Sequence, residues 1–233
     1  MQGFKKQIYL LAAIGLLGIS SSATASVIGS LNVANCAGGG VTVSSTNIVW
    51  SPVGTVAGTG CTDTGIGTNL TYSGGTLGPG DPGNIKNLTS GGGSVDNFMT
   101  FQGTTLDFVL TGLGPGSANT NCALSALNPV CSVAAGSPFI LTFISANVTA
   151  IGLGANGTVT DGGVTSNWFG SFTTQLNLSG TAIQSTELAG GSIASAHSGQ
   201  FSVSAVPEPG TVSMFLLGGL TLLGIGRKRF RKS

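Results

Sequence analysis

Between Ser26 and Ala205 the apolar residues recur with period two, in short runs separated by turn residues. From Trp168 to Leu178, Trp168, Phe172, Leu176 and Leu178 share one parity, with Gly170 and Thr174 between them. Ser171, Thr173, Gln175 and Asn177 take the other parity. That is the pattern of a strand with one buried and one wet face. Leu106, Phe108 and Leu110 form a second such face, and Phe201, Val203 and Ala205 a third. The run Phe139–Val148 is more uniformly apolar and predicts a central strand. Asp161-Gly162, after Thr158-Val159-Thr160, predicts a hairpin leading into the Trp168 strand. Residues 78–83 and 91–93 are Gly- and Pro-rich and predict loops. No helical period of useful length and no fixed-period repeat is present. The expectation is an all-β fold with Gly-rich loops: an antiparallel β-sandwich, jelly-roll-like, or an open barrel.

The two ends depart from this pattern. Lys5 and Lys6 precede an apolar run, Ile8–Ile19, and then a small-residue stretch ending Ala23-Thr24-Ala25. A basic start, a short apolar middle and an A-x-A site make a secretory signal peptide. A helix over that run spans only about 18 Å, short for a bilayer. Cleavage is expected between Ala25 and Ser26, by signal peptidase after export through a Sec-type machinery. At the other end Pro207-Glu208-Pro209 stops the strand pattern, because proline neither continues a ladder nor enters a helix interior. Thr211–Gly226 is uncharged and predicts a transmembrane helix, closed by Arg227, Lys228, Arg229, Arg231 and Lys232. Basic residues stay on the cytoplasmic side, so the region before the helix is placed outside. At about 24 Å the helix is short for a lasting anchor. The chain therefore divides into a signal peptide (1–25), an exported β-rich domain (26–205) and a tail (206–233).

Pro207-Glu208-Pro209, the apolar stretch and the Arg-rich end, in that order, resemble the PEP-CTERM protein-sorting tail. The resemblance implies an exosortase partner acting at the Pro-Glu-Pro motif of a Gram-negative precursor. It implies an inner-membrane-held precursor that passes to the periplasm, outer envelope or extracellular matrix, in association with exopolysaccharide and biofilm. Within the body, Leu113–Ser117 through Cys131, and Gly157–Asp161 through Phe172–Thr174, also resemble segments of such precursors. That likeness implies a shared fold and transfers no site.

Charge sharpens the division. The 233 residues carry eight Lys/Arg and seven Asp/Glu, a net charge of +1. Seven of the eight bases lie at the two ends. From Ser26 to Ala205 Lys86 stands against Asp63, Asp81, Asp96, Asp107, Asp161 and Glu187, a net of −5. Such a body repels phosphate backbones, which excludes nucleic acid as a partner.

All four cysteines, Cys36, Cys61, Cys122 and Cys131, fall in the exported region, where disulfides persist. Three pairings are open. Cys36–Cys61 with Cys122–Cys131 is favoured because both close local loops, each contributing roughly 2–4 kcal/mol. The spacing does not fit a zinc site, and no cofactor is expected. His197 is the only histidine, without a Gly-x-Ser-x-Gly elbow. The six acids of the body sit mostly in turn contexts, and Asp63, Asp81 and Asp161 follow no calcium-loop pattern. An enzyme is therefore not expected. Trp50 and Trp168 are candidates for stacking on sugar rings, although the parity of Trp168 favours the core. Two functions stand: a structural or adhesive matrix protein, or a carbohydrate-binding module for exopolysaccharide.

Overall fold

The computed structural model describes residues 26–44, 47–89 and 93–206. The expected signal peptide and almost all of the tail, from Pro207 onward, lie outside the described residues. No helix among the described residues is long and apolar enough to cross a membrane. The strands are β1 (Ile28–Asn35), β2 (Gly40–Ser44), β3 (Asn47–Ser51), β4 (Thr59–Thr64), β5 (Asn69–Tyr72), β6 (Gly75–Leu77), β7 (Pro82–Lys86) and β8 (Leu88–Thr89). After them come β9 (Val95–Phe101), β10 (Asp107–Leu113), β11 (Val130–Cys131), β12 (Phe139–Ser145), β13 (Val148–Asp161) and β14 (Val164–Leu176). Helix α1 (Gly180–Leu188), β15 (Ser192–Ser195) and β16 (Ser198–Ala205) complete the body.

The body is all-β apart from α1, and its strand pairings are antiparallel. The principal sheet closes on itself. Strands run β10-β9-β7-β4-β1-β16-β14-β13, and β13 returns to β10. Closure depends on the length of β13, whose two halves have different partners. Thr149–Leu153 pair with β12, whereas Ala155–Thr160 pair with β10. Strand β1 forks in the same way, to β5 through Ile28–Ser30 and to β4 through Val33–Asn35. A second sheet, β15-β2-β3-β8, packs on this framework. The sandwich expectation is thus met only in the layering of the two sheets; the closed ring is an addition to it.

Aromatic side chains fill the ring. Trp168 stacks on Phe98 at 6.2 Å and meets the edges of Phe201 and Phe108 at 5.4 and 6.3 Å. Offset and edge-to-face contacts of this kind suit the ring quadrupoles. Val41, Ile48 and Trp50 bring the second sheet into the same core. A smaller core of Cys122, Cys131, Val133, Leu141, Ile183 and Ile193 lies under α1.

Several sequence expectations hold. Asp161 pairs with Val164 around the two-residue turn Gly162-Gly163, both with positive φ (56° and 90°), as a type I′ hairpin needs. Leu106, Phe108 and Leu110 are buried, as are Phe201 and Val203. Both expected disulfides are formed, with Cα separations of 6.0 Å for Cys36–Cys61 and 5.3 Å for Cys122–Cys131. The first ties the end of β1 to β4, and the second closes the loop before β11.

Three expectations are corrected. Phe139–Val148 is not one central strand: it breaks at Ala146-Asn147 into β12 and the start of β13, and Ile144 is exposed. Leu178 lies beyond the end of β14 and is exposed. Helix α1 appears where no helical period was read. Its nine residues bury one large apolar side chain, Ile183, too little to make a pattern. It is held by hydrogen bonds instead. Ser179 Oγ caps the first turn through Ala182 N, and Gln184 Nε2 donates to the carbonyls of Thr120 and Val133 at 2.8 and 2.9 Å. Gly190, at φ 75°, ends it.

The closed ring has little room where β10, β13 and β14 meet. A Cβ on Gly157 would overlap the Val109 carbonyl oxygen and lie 2.8 Å from the Trp168 ring. Gly157→Ala is expected to cost about 1–3 kcal/mol or more. Gly78→Ala, where nothing lies within 4 Å of the added carbon, should change stability by less than about 0.5 kcal/mol. Thermal unfolding followed by circular dichroism measures both.

Candidate functional site

The two chain ends of the body come out together. β1 and β16 are antiparallel neighbours, with Gly29 opposite Val203. Ser26, the residue after the expected cleavage point, and Val206, the first residue of the tail, therefore lie at the same edge of the ring. β16 is itself bonded on both sides, to β1 and to β14. The last paired residue is Ala205, opposite Ser166, and Val206 is exposed. Every strand of the ring is complete before Pro207. Ala23, Ala25, Pro207, Glu208, Pro209 and the basic residues Arg227, Lys228, Arg229, Arg231 and Lys232 lie outside the described residues.

The same edge of the ring is tied by a buried carboxylate. Asp161, 2% exposed, accepts from Ser73 N at 2.6 Å and from Thr105 Oγ1 at 2.5 Å. It joins the β5–β6 turn, the β9–β10 turn and the β13–β14 hairpin. Burial raises its pKa, but the Thr105 and Ser73 bonds more than offset this, and the result lies below the ordinary 3.8. Asp161 is thus a structural clamp. Asp63 and Asp81 do not join it, and no group of three or more His, Cys, Asp or Glu that could hold a metal exists among the described residues.

The tryptophans are not where sugar stacking needs them. Trp50 is 3% and Trp168 1% exposed. Trp168 Nε1 donates to the carbonyls of Val109 and Thr158 at 3.2 and 3.0 Å. Trp50 contacts the rings of Phe98 and Phe172 at 6.0 Å each. Neither ring offers a face to solvent, so the stacking assignment to both is corrected: they are core residues.

The exposed aromatic of the ring is Phe169, at 59%. It stands on the wet parity of β14, beside the Trp168 that faces inward. Its cross-strand neighbours are Asn156 on β13 and Ser202 on β16, with Ser30 on β1 one strand further. Around it on the outer face lie Asn167, Ser171, Gln200 and Ser204. β1, β14 and β16 carry no charged residue. The face therefore presents hydroxyl and amide groups around one aromatic ring, with Ile28 exposed at its edge. Its signal was legible in the sequence, because Phe169 shares a parity with Ser171 and Thr173.

Two further titratable groups point inward. His197 is 7% exposed, and its ring lies edge-on to Trp50 and Phe172 at 6.3 and 6.1 Å. Neither imidazole nitrogen has a hydrogen-bond partner, so no hydroxyl is bonded to it as a nucleophile would be. Burial lowers its pKa from 6.5 to about 4. Glu187, on the inner side of α1 and 6% exposed, is raised by burial from 4.5 to about 7.

Residues 205–232 match the PEP-CTERM protein-sorting motif. No curated protein and no solved structure matches the chain. The motif coincides with the composite of Pro-Glu-Pro, apolar stretch and basic end, and it starts on the last residue of β16.

The two inward groups give opposite pH dependences. Glu187 holds its proton more tightly folded than unfolded, so its contribution is full below 4.5 and is lost as pH rises through about 7. His197 stays neutral in the fold, so its contribution is full above 6.5 and is lost as pH falls through about 4. In Glu187→Gln the thermal midpoint should rise with pH up to about 6.5 and then level off. In His197→Phe it should fall with pH between 4.5 and about 7, by up to ~3 kcal/mol of stability. Unfolding scans across this range check both; identical profiles in the two variants contradict the assignment.

Proposed function

We propose that this chain, a PEP-CTERM precursor that exosortase sorts out of a Gram-negative cell, delivers a non-catalytic β body that serves as a structural or adhesive component of the envelope or extracellular matrix. The observation that carries the reading is the position of the motif. The motif overlaps the ring only at Ala205, so removing residues 206–233 takes away no strand and leaves the cargo whole. The body suits a passive role outside the cell. Two disulfides staple it, its ring interior is packed with aromatic groups, and its titratable side chains at His197 and Glu187 face inward without a nucleophile. A short apolar stretch between Pro209 and Arg227 fits a temporary hold on the membrane during sorting.

A second reading is favoured by one surface. The outer face around Phe169 combines an exposed aromatic ring with uncharged hydroxyl and amide neighbours, the chemistry that binds neutral sugars by stacking and hydrogen bonding. The acidic body favours a neutral exopolysaccharide over an anionic one.

Deleting residues 206–233 is expected to move the protein out of the envelope fraction that the intact chain reaches. Unchanged fractionation contradicts the sorting role. Phe169→Ala should lower retention on the producer's purified neutral polysaccharide by about tenfold, as loss of a stacking ring costs 1–3 kcal/mol by analogy with other π-faces. If the wild-type protein is not retained, the carbohydrate reading falls and the structural one stands.

A further inference from the structure

The turns at one end of the ring stand where the tail leaves it. Ala205, the last paired residue of β16, lies opposite Ser166, and the hairpin tip Gly162-Gly163 begins three residues further along β14. β16 and β14 are antiparallel, so the chain leaves β16 in the direction of that tip. At ~3.3 Å per residue the tip stands about 10 Å beyond Ala205. Asp161 ties two other turns to the hairpin, through Ser73 N and Thr105 Oγ1. Ser73, Gly74, Gln102, Gly103, Gly162 and Gly163 are exposed, and none is charged. The Asp161 carboxylate that joins the turns is buried, and Asp107, which opens β10, is partly buried.

We propose that this rim is the surface on which the membrane-embedded exosortase seats the precursor, a proposal that rests on the sorting reading of the tail. Chain length carries it. Pro209 is four residues after Ala205, so it stands at most about 14 Å from the ring. Thr211, where the uncharged stretch begins, is six residues after Ala205, a reach of at most about 22 Å. A small folded domain is roughly 30 Å across, wider than either gap. An enzyme acting at Pro207-Glu208-Pro209 therefore meets the edge of the ring, and the hairpin tip fills about 10 Å of the same direction. The rim suits that contact. An uncharged surface loses little on leaving water, whereas an unpaired buried charge is costly. A Cβ on Gly162 or Gly163 would have nothing within 4 Å, so the tip lets a partner come close to the backbone. The Asp161 bonds hold three turns in one arrangement before contact, which lowers the ordering cost of docking.

The test uses the full chain in cells that make its exosortase, with tail removal followed by pulse-chase and intact mass. Gly162→Asp places a charge on the tip and keeps an Asp-Gly pair that a type I′ turn accepts. It should slow tail removal by at least about tenfold. Gly38→Asp, at the β1–β2 turn beyond the other end of β1 and equally open at positive φ, should leave the rate unchanged. A photoreactive benzoylphenylalanine in place of Thr165, exposed and next to Ser166, should crosslink to exosortase, and one in place of Ala37 should not. Wild-type rates in both aspartate variants, or an adduct at position 165 to lipid alone, overturn the proposal and leave the sorting reading standing. Tail removal that continues in cells lacking exosortase overturns the sorting reading itself, and the proposal with it. The crosslink needs no change at the hairpin, so it decides the matter even if Gly162→Asp fails to fold.

Discussion

Strand β16 is bonded along both edges, to β1 at the start of the body and to β14 near its end, and the ring closes through these two ladders. The fit there is close: a Cβ on Gly170 would overlap the carbonyl oxygen of Gln200, and one on Gly199 would lie 2.7 Å from Phe201. The pairing of β1 with β16 joins residues far apart in sequence, and such contacts form late because loop closure must come first. The Cys36–Cys61 bridge ties β1 to β4, on the side of β1 away from β16. Placing first and last strands side by side also brings both ends of the body to one edge. The same edge carries the Asp161 clamp, which holds three turns together there.

The ring separates two kinds of surface. Inside are Trp168, Phe98, Phe108, Phe172 and Phe201, and the seam beside them takes His197 and Trp50. Outside, β1, β14 and β16 present serine, threonine, asparagine and glutamine, with Phe169 and, at the start of β1, Ile28. Burial shifts two ionisable groups toward their neutral forms: His197 by a lowered pKa and Glu187 by a raised one. The sorting motif begins on the last residue of β16.

Much of this was legible residue by residue. Parity alone identified the buried side of β10, β14 and β16, because a sheet with one wet face forces alternation. Asp161-Gly162 marked the β13–β14 turn, since Gly162 and the following Gly163 tolerate positive φ. Local loop closure identified both disulfides. Other features depend on contacts that no local pattern encodes. Trp50 is flanked by Val49 and Ser51 in a five-residue strand, and only the packing of the second sheet on the ring buries it. The division of β13 between β12 and β10 is a property of register, not of composition. Helix α1 owes its place to Ser179 and Gly190, which bond at its two ends, and to Gln184, which reaches the carbonyls of Thr120 and Val133. Phe169 lies on the polar parity of β14, next to Trp168 on the apolar one.

The account holds that the body is a finished unit and that the tail is a sorting device removed from it. The intact mass of the protein recovered from cells tests this most directly. The account predicts a polypeptide that begins at Ser26, ends close to Pro209 and carries two disulfides. A mass that retains residues 211–226 would contradict it.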